Sequence, residues 1–376
     1  MFYKRLLSML MAVAMVFALT ACGGYGGAGS GSGGSSGSSG GTSGGGSGAA
    51  GGADAAQMEA DGDFSDYDTY KIRMANWFAE THPQNIALQS FADEVKTRSG
   101  GKMIVELYPN SQLGSEDVYI NSILEGTLEM SCQGTMMAEY EPAINVAEMP
   151  FLFTGGWEQA RATLGGEIGQ KMTENMPEDA GIRVLAWTAN GFRVVSSSKP
   201  VKTMDDFKGL KLRVPTTSLY VKTFEALGTT ALGITLSETY TALETGIADG
   251  QENPYATDRA SSFYEVQKYI LETYHMFSPV EWCVNEKFFQ SLPAEFQEIL
   301  TSAAKNAAEY EWDLAISGEQ EDKAFLEEQG VEITEVSDEL HAQMEEAVKR
   351  AGVYDWLYSE YPGTEQFAEE IRNFQY

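Results

Sequence analysis

The sequence is short of cysteine, histidine, positive charge and long apolar runs, and each shortage removes a class of protein. The three cysteines, Cys22, Cys132 and Cys283, are too few for a disulfide scaffold, and the last two read as separate buried thiols. Three histidines, His82, His275 and His341, stand far apart, and no HExxH, CxxC or P-loop pattern accompanies them. Neither a metal nor any other cofactor is therefore expected. His82 precedes Pro83 and is expected to be solvated or to cap a helix. Lys and Arg number 25 against 55 Asp and Glu, a net charge of −30. That balance argues against nucleic acid and against a basic membrane-docking surface. No stretch reaches the 18 or more apolar residues of a transmembrane span.

What is present begins with an address. Lys4 and Arg5 precede an apolar run, Leu6 to Leu19, too short for a bilayer. The run ends in Leu19-Thr20-Ala21-Cys22, a lipobox pattern. Residues 1–21 are expected to be a lipoprotein signal peptide, with Cys22 lipidated and the protein held outside the cytoplasm on a membrane. Residues 22–69 are expected to form a tether. Its first part, to about residue 53, is almost all Gly, Ser and Ala and cannot bury enough apolar surface to offset its ordering entropy. The G-x-S-x-G and G-x-G-x-x-G matches between Gly29 and Gly37 lie inside this tract and follow no strand, so they are coincidences of composition.

From Tyr70 onward strand and helix signals alternate, with strands at Tyr70 to Ala75, Met103 to Tyr108, Leu128 to Cys132 and Ile182 to Trp187. Pro83 opens a helix closed by Gly100-Gly101, Ser115 caps another, and one helix is expected from Gly156 to about Asn175. The order β-α-β-α-β argues for a parallel α/β sheet. A second α/β set begins near Phe192 and includes a strand at Leu210 to Val214 and a helix capped by Ser237. Some 300 residues in two such sets suit two lobes. Pro293 to Gly330 carries one apolar stripe through Phe296, Leu300, Ala303, Ala307, Tyr310 and Leu314. It reads either as one long helix bracing both lobes or as two helices broken near Gly318.

Three segments of the second set carry chemistry: Asn190-Gly191-Phe192-Arg193, Gly209-Leu210-Lys211-Leu212-Arg213-Val214-Pro215, and Asp249-Gly250-Gln251-Glu252-Asn253-Pro254. They fall at strand ends, where open α/β sheets face their ligand crevices. Strand alternation turns Arg213 away from Leu212 and Val214, and Arg193 away from Phe192 and Val194. An arginine fork matches a carboxylate with two parallel hydrogen bonds, strongest where water is excluded. In an acidic chain, such a residue makes a locally positive pocket for an anion.

These segments, with Gln112-Leu113-Gly114, Asp205-Asp206-Phe207-Lys208, Ala226-Leu227-Gly228 and Ser237-Glu238-Thr239-Tyr240, resemble the solute receptors of tripartite ATP-independent periplasmic (TRAP) transporters, DctP type, from about Tyr70 to Gly330. The resemblance implies a two-lobed periplasmic-binding-protein-like α/β fold with a hinge and a long helix across both lobes. It places lobe I at 70–190 plus 279–318, lobe II at 191–278 plus 319–346, and a C-terminal helical segment at 347–376. It implies a non-enzymatic receptor that passes an organic acid to membrane permease subunits driven by an ion gradient. Arg213 is then the ligand's ion-pair partner and Arg193 a second basic position, with Asn253, Gln133, Trp77, Thr216 and Leu236 at further pocket positions. Tyr240 joins Trp77, Trp187, Phe192, Tyr255 and Trp282 as candidates for a stacking wall or for the core. Sialic-acid-type members carry an aromatic residue where Leu236 stands and an acidic one near Gln133, which leaves C4-dicarboxylates, uronates and other sugar or keto acids open. A surface-anchored glycan-acting enzyme would need a carboxylate pair, and an ABC-type receptor would lack the Lys211-Leu212-Arg213-Val214-Pro215 and Asp249–Pro254 segments.

Overall fold

The computed structural model describes residues 58–376, so the expected signal peptide, Cys22 and most of the tether lie outside it. The first strand, β1 (Tyr70–Ala75), lies parallel to β2 (Met103–Tyr108) and to β3 (Met130–Gln133). Between β1 and β2 runs the helix Pro83–Arg98, with proline in its first turn and Leu88, Phe91 and Val95 buried. His82 is its N-cap: Nδ1 accepts from the Gln84 N–H at 3.2 Å, and the ring is buried rather than solvated. β4 (Ile182–Phe192) is eleven residues long and leads through Arg193 straight into β5 (Val194–Ser197), which belongs to a second sheet.

That second sheet continues with β6 (Lys211–Val214), β7 (Thr230–Gly233), β8 (Gly250–Asn253) and β9 (Tyr269–Glu272). The chain then returns through residues 273–276 to β10 (Phe277–Asn285) in the first sheet, and β11 (Glu332–Glu335) completes the second. The strand orders are β2-β1-β3-β10-β4 and β11-β9-β5-β8-β6-β7, the frames of two lobes. The sheets are mixed rather than wholly parallel: β10 runs antiparallel to β3 and β4, and β5 to β8 and β9. A strand that arrives from the other lobe enters its sheet from the opposite end, so no crossover helix brings it round to the parallel direction.

The apolar stripe forms one helix, Ala294–Glu328, of 35 residues. At 1.5 Å per residue it is about 52 Å long. In lobe I it packs on the helix Pro83–Arg98 and on β4, with Trp312 stacked on Phe277 at 5.9 Å. In lobe II it meets the helix Tyr255–Ala260, where Asp322 binds Arg259 at 2.8 Å and Leu326 joins the core of Val194 and Ile270. Gly318 does not break it, because packed residues on both sides, Ala315 and Leu326, hold the backbone helical through that position.

Four further expectations change. The segment before Tyr70 is not all tether: Phe64 is buried 5.1 Å from the Phe296 ring, and Asp61 pairs with Arg98 at 2.7 Å. The stretch after Gly156 is two helices, Gly156–Leu164 and Glu167–Thr173, parted by Gly165-Gly166. The helix Leu236–Glu244 takes Thr235 as its N-cap, which puts Ser237 inside the first turn. Residue 347 falls within the helix Asp338–Arg350 rather than at a segment boundary. Beyond it, Val353–Glu360 packs on Ser218–Ala226 of lobe II, while Glu365–Arg372 packs on Ile144–Ala147 and Glu167–Thr173 of lobe I. Cys132 lies opposite Trp282 and Cys283 opposite Ser131. Alternation sends the two thiols to opposite faces of the sheet, and both are buried and free.

Candidate functional site

Strand direction assembles the site. Segments just past the carboxyl ends of β1, β2 and β3 bring Trp77, Ser111, Ser115 to Asp117 and Gly134 to one wall, and those past β6 and β7, with the last residue of β8, bring Pro215-Thr216, Ile234 to Ser237 and Asn253 to the other. Between them lies a cleft.

Arg213 sits on β6 between Leu232 of β7 and Gln251 of β8. Leu212 and Val214 enter the core, so alternation sends the guanidinium into the cleft. Nε donates to the Ile234 carbonyl at 2.8 Å. Nη1 is buried with no hydrogen-bond partner, and the side chain makes no ion pair among the described residues. Burial pulls its pKa down from 12.5 to about 10, against the partial support of Glu252. A buried, un-neutralised cation of this kind is a seat for an anion.

Arg193 is different. It stands at the β4–β5 junction and is gripped by Glu252: Nε donates to one carboxylate oxygen and Nη2 to the other at 2.8 Å. His275 Nε2 shares Glu252 at 3.1 Å, and the Tyr220 ring lies under the guanidinium at 5.1 Å. Burial would lower the Arg193 pKa, but the Glu252 charge outweighs it and holds the group above its ordinary value. Arg193 reaches the cleft wall, yet its charge is already neutralised. Its Nη2 also donates to Asn253 Oδ1 at 3.0 Å, while Asn253 Nδ2 donates to Gln251 Oε1 at 2.6 Å, so the pocket amide is held in one orientation.

Trp77, Arg193, Arg213, Thr216, Leu236 and Asn253 come together as the sequence suggests. Two expected residues do not. Gln133, the last residue of β3, is fully buried, donates to the Ser131 hydroxyl at 2.6 Å and does not line the cleft. Tyr240 lies a turn into its helix and bonds Glu265 at 2.7 Å away from the cleft. Of the other aromatic candidates, Trp187, Phe192, Tyr255 and Trp282 are core. Trp77 stays on the wall, stacked parallel to Tyr119 and lying over Gly134. A Cβ at Gly134 would sit 3.0 Å from the indole, so glycine there lets the ring lie flat.

Sequence reasoning missed Ser111, Ser115, Glu116, Asp117 and Ser278 on the walls. The signal for the first four was available, since they follow β2 at the start of a Ser-capped helix, the position a crevice-lining loop occupies. Glu116 accepts the Gly134 N–H at 2.8 Å, and burial pushes its carboxyl up to about 7.

Residues 74–358 match the family described as bacterial extracellular solute-binding protein, family 7 (DctP). The chain is similar to a TRAP periplasmic solute-binding protein from Haemophilus influenzae RdAW, whose crystal structure holds bound L-gulonate. The two are 39% identical with a TM-score of 0.76, over 80% of this chain and 98% of that one. A sugar acid binding protein from Advenella mimigardefordensis, in complex with galactonate, is 30% identical with a TM-score of 0.77, over 81% and 97%. The 2,3-diketo-L-gulonate-binding periplasmic protein of Escherichia coli K12 is 34% identical over 70% of this chain and 80% of its own length. The chain belongs to the DctP family of bacterial extracellular solute-binding proteins, the solute receptors of TRAP type.

Proposed function

We propose that this receptor captures a sugar acid, an aldonate or uronate, with its carboxylate on Arg213 and its hydroxyl chain along the polar walls, and delivers it to a TRAP permease. One observation carries the assignment of Arg213: a guanidinium 3% exposed, its Nη1 unpartnered, facing the cleft. The gulonate, galactonate and diketogulonate bound by similar proteins support the ligand class. Residues 70–192 with 277–318 and 194–272 with 319–346 act as the two lobes, and closure turns on the crossings at Arg193 and at 273–276. Closing excludes water and strengthens the Arg213–carboxylate pair.

A thermal-shift panel of aldonates, uronates, keto acids and C4-dicarboxylates tests the ligand class. A ligand at 100 times its Kd adds about 2.7 kcal/mol. Sugar acids are expected to raise Tm, and a panel in which none does so refutes the reading. The proposal includes anchoring through Cys22, supported by Lys4, Arg5 and the Leu19–Cys22 pattern. Replacing Cys22 with alanine is then expected to move the protein from the membrane fraction to the soluble one.

A further inference from the structure

The cleft is lopsided in charge. Its charged lining residues are Arg193 and Arg213 on one side and Glu116 and Asp117 on the other. Glu252 cancels Arg193 through two contacts, so one uncompensated cation, Arg213, remains among the described lining residues. The opposite wall offers acceptors instead. Glu116 is half-buried and already takes the Gly134 N–H, and Asp117 takes the Ser115 hydroxyl. Among the described residues, neither has a Lys, Arg or His within ion-pairing distance. The rest of the polar lining is hydroxyl and amide, including Ser111, Thr216, Asn190 and Asn253, which donate to and accept from neutral hydroxyls.

Resting on the sugar-acid reading, we infer that the cleft admits one carboxylate only: the ligand is a monoanion whose far end is an uncharged hydroxylated carbon, and dianions of the same length are rejected. A second carboxylate or phosphate at the far end would be desolvated beside Glu116 and Asp117 without a cation to meet it. Like charges at such a distance in a site of low dielectric cannot all remain ionised, so binding would carry the added cost of protonating one of them. Burial already holds the Glu116 proton more tightly than in water, and a further anion would raise that pKa again. A terminal CH2OH has no such cost and gives Glu116 or Asp117 a donor.

The decisive comparison is L-gulonate against D-glucarate, which share one carbon skeleton and differ at a single end, CH2OH against carboxylate. D-galactonate against galactarate forms a second pair. Calorimetry on the wild-type receptor is expected to show each aldonate binding at least about tenfold tighter than its aldarate. Glu116→Gln with Asp117→Asn is expected to narrow the gap severalfold, mainly by tighter aldarate binding. Should the double variant fail to fold, Asp117→Asn alone, at an exposed position, is expected to narrow the gap in the same direction. Equal or tighter binding of the aldarates by the wild type overturns the inference while leaving the sugar-acid reading intact. Absence of binding by every aldonate and uronate sinks that reading itself.

Discussion

Replacing Arg213 with methionine should push stability and affinity in opposite directions. Methionine keeps much of the side-chain volume and removes the charge. The guanidinium pKa falls from 12.5 to about 10 through burial. At about 1.4 kcal/mol per pKa unit, the charged group costs the unliganded protein roughly 3 kcal/mol. The substitution also removes the 2.8 Å bond from Nε to Ile234, worth about 1 kcal/mol. The net expectation is an unliganded variant more stable by about 1–2 kcal/mol, or about 2–4 °C in Tm. Because the folded pKa lies below the unfolded one, the wild-type cost is present in full at neutral pH and fades only as pH rises from about 10 toward 12.5.

Ligand binding should behave in the reverse way. Losing one partner of a buried charge pair typically costs about 2–5 kcal/mol, a weakening of roughly 30-fold or more. A ligand concentration that stabilises the wild type by about 2.7 kcal/mol would then stabilise the variant by less than about 1 kcal/mol. Scanning calorimetry on both proteins, with and without L-gulonate, reads both effects. A variant less stable without ligand, yet gaining as much from ligand as the wild type, would show that Arg213 is a structural cation and would refute the reasoning.

Three further outcomes follow from single residues. Gly318→Ala should stabilise the long helix by up to about 1 kcal/mol, measured by chemical denaturation, since a Cβ there meets nothing within 4 Å. Gly134→Ala should displace the Trp77 ring and weaken ligand binding severalfold by calorimetry with little change in Tm, because the new Cβ would lie 3.0 Å from the indole. Glu311 is buried on the long helix, accepts the Ala189 N–H at 2.9 Å, and has its pKa raised by burial to about 8. Its destabilising contribution is absent below about pH 4.5 and grows until about pH 8. Glu311→Gln should therefore raise Tm at pH 8.5 and leave it nearly unchanged at pH 5, and equal shifts at both would count against the burial argument.

Much of the site was legible because the relevant physics is local. Arg213 between Leu212 and Val214 needs only the two-residue period of a strand to be turned out of the core. Pro83 and Gly100-Gly101 bound their helix through backbone preferences that act within a few residues. Gln133 and Tyr240 were misplaced because a position one residue before, or one turn beyond, a crevice looks the same along the chain as a position inside it. Glu116 escaped notice because 55 acidic residues give no reason to single out one.

The sequence by itself determined the alternation of strand and helix and the arginine-bearing strand end, since each depends on residue type and short-range period. Tertiary structure decided the state of the two arginines. Arg193 lies 59 residues from Glu252 along the chain, and only the pairing of β5 with β8 brings them together and cancels that charge. Arg213, one strand away on β6, gains no such partner and stays buried and unpaired. Charge compensation depends on distance in space, which no pattern along the chain encodes.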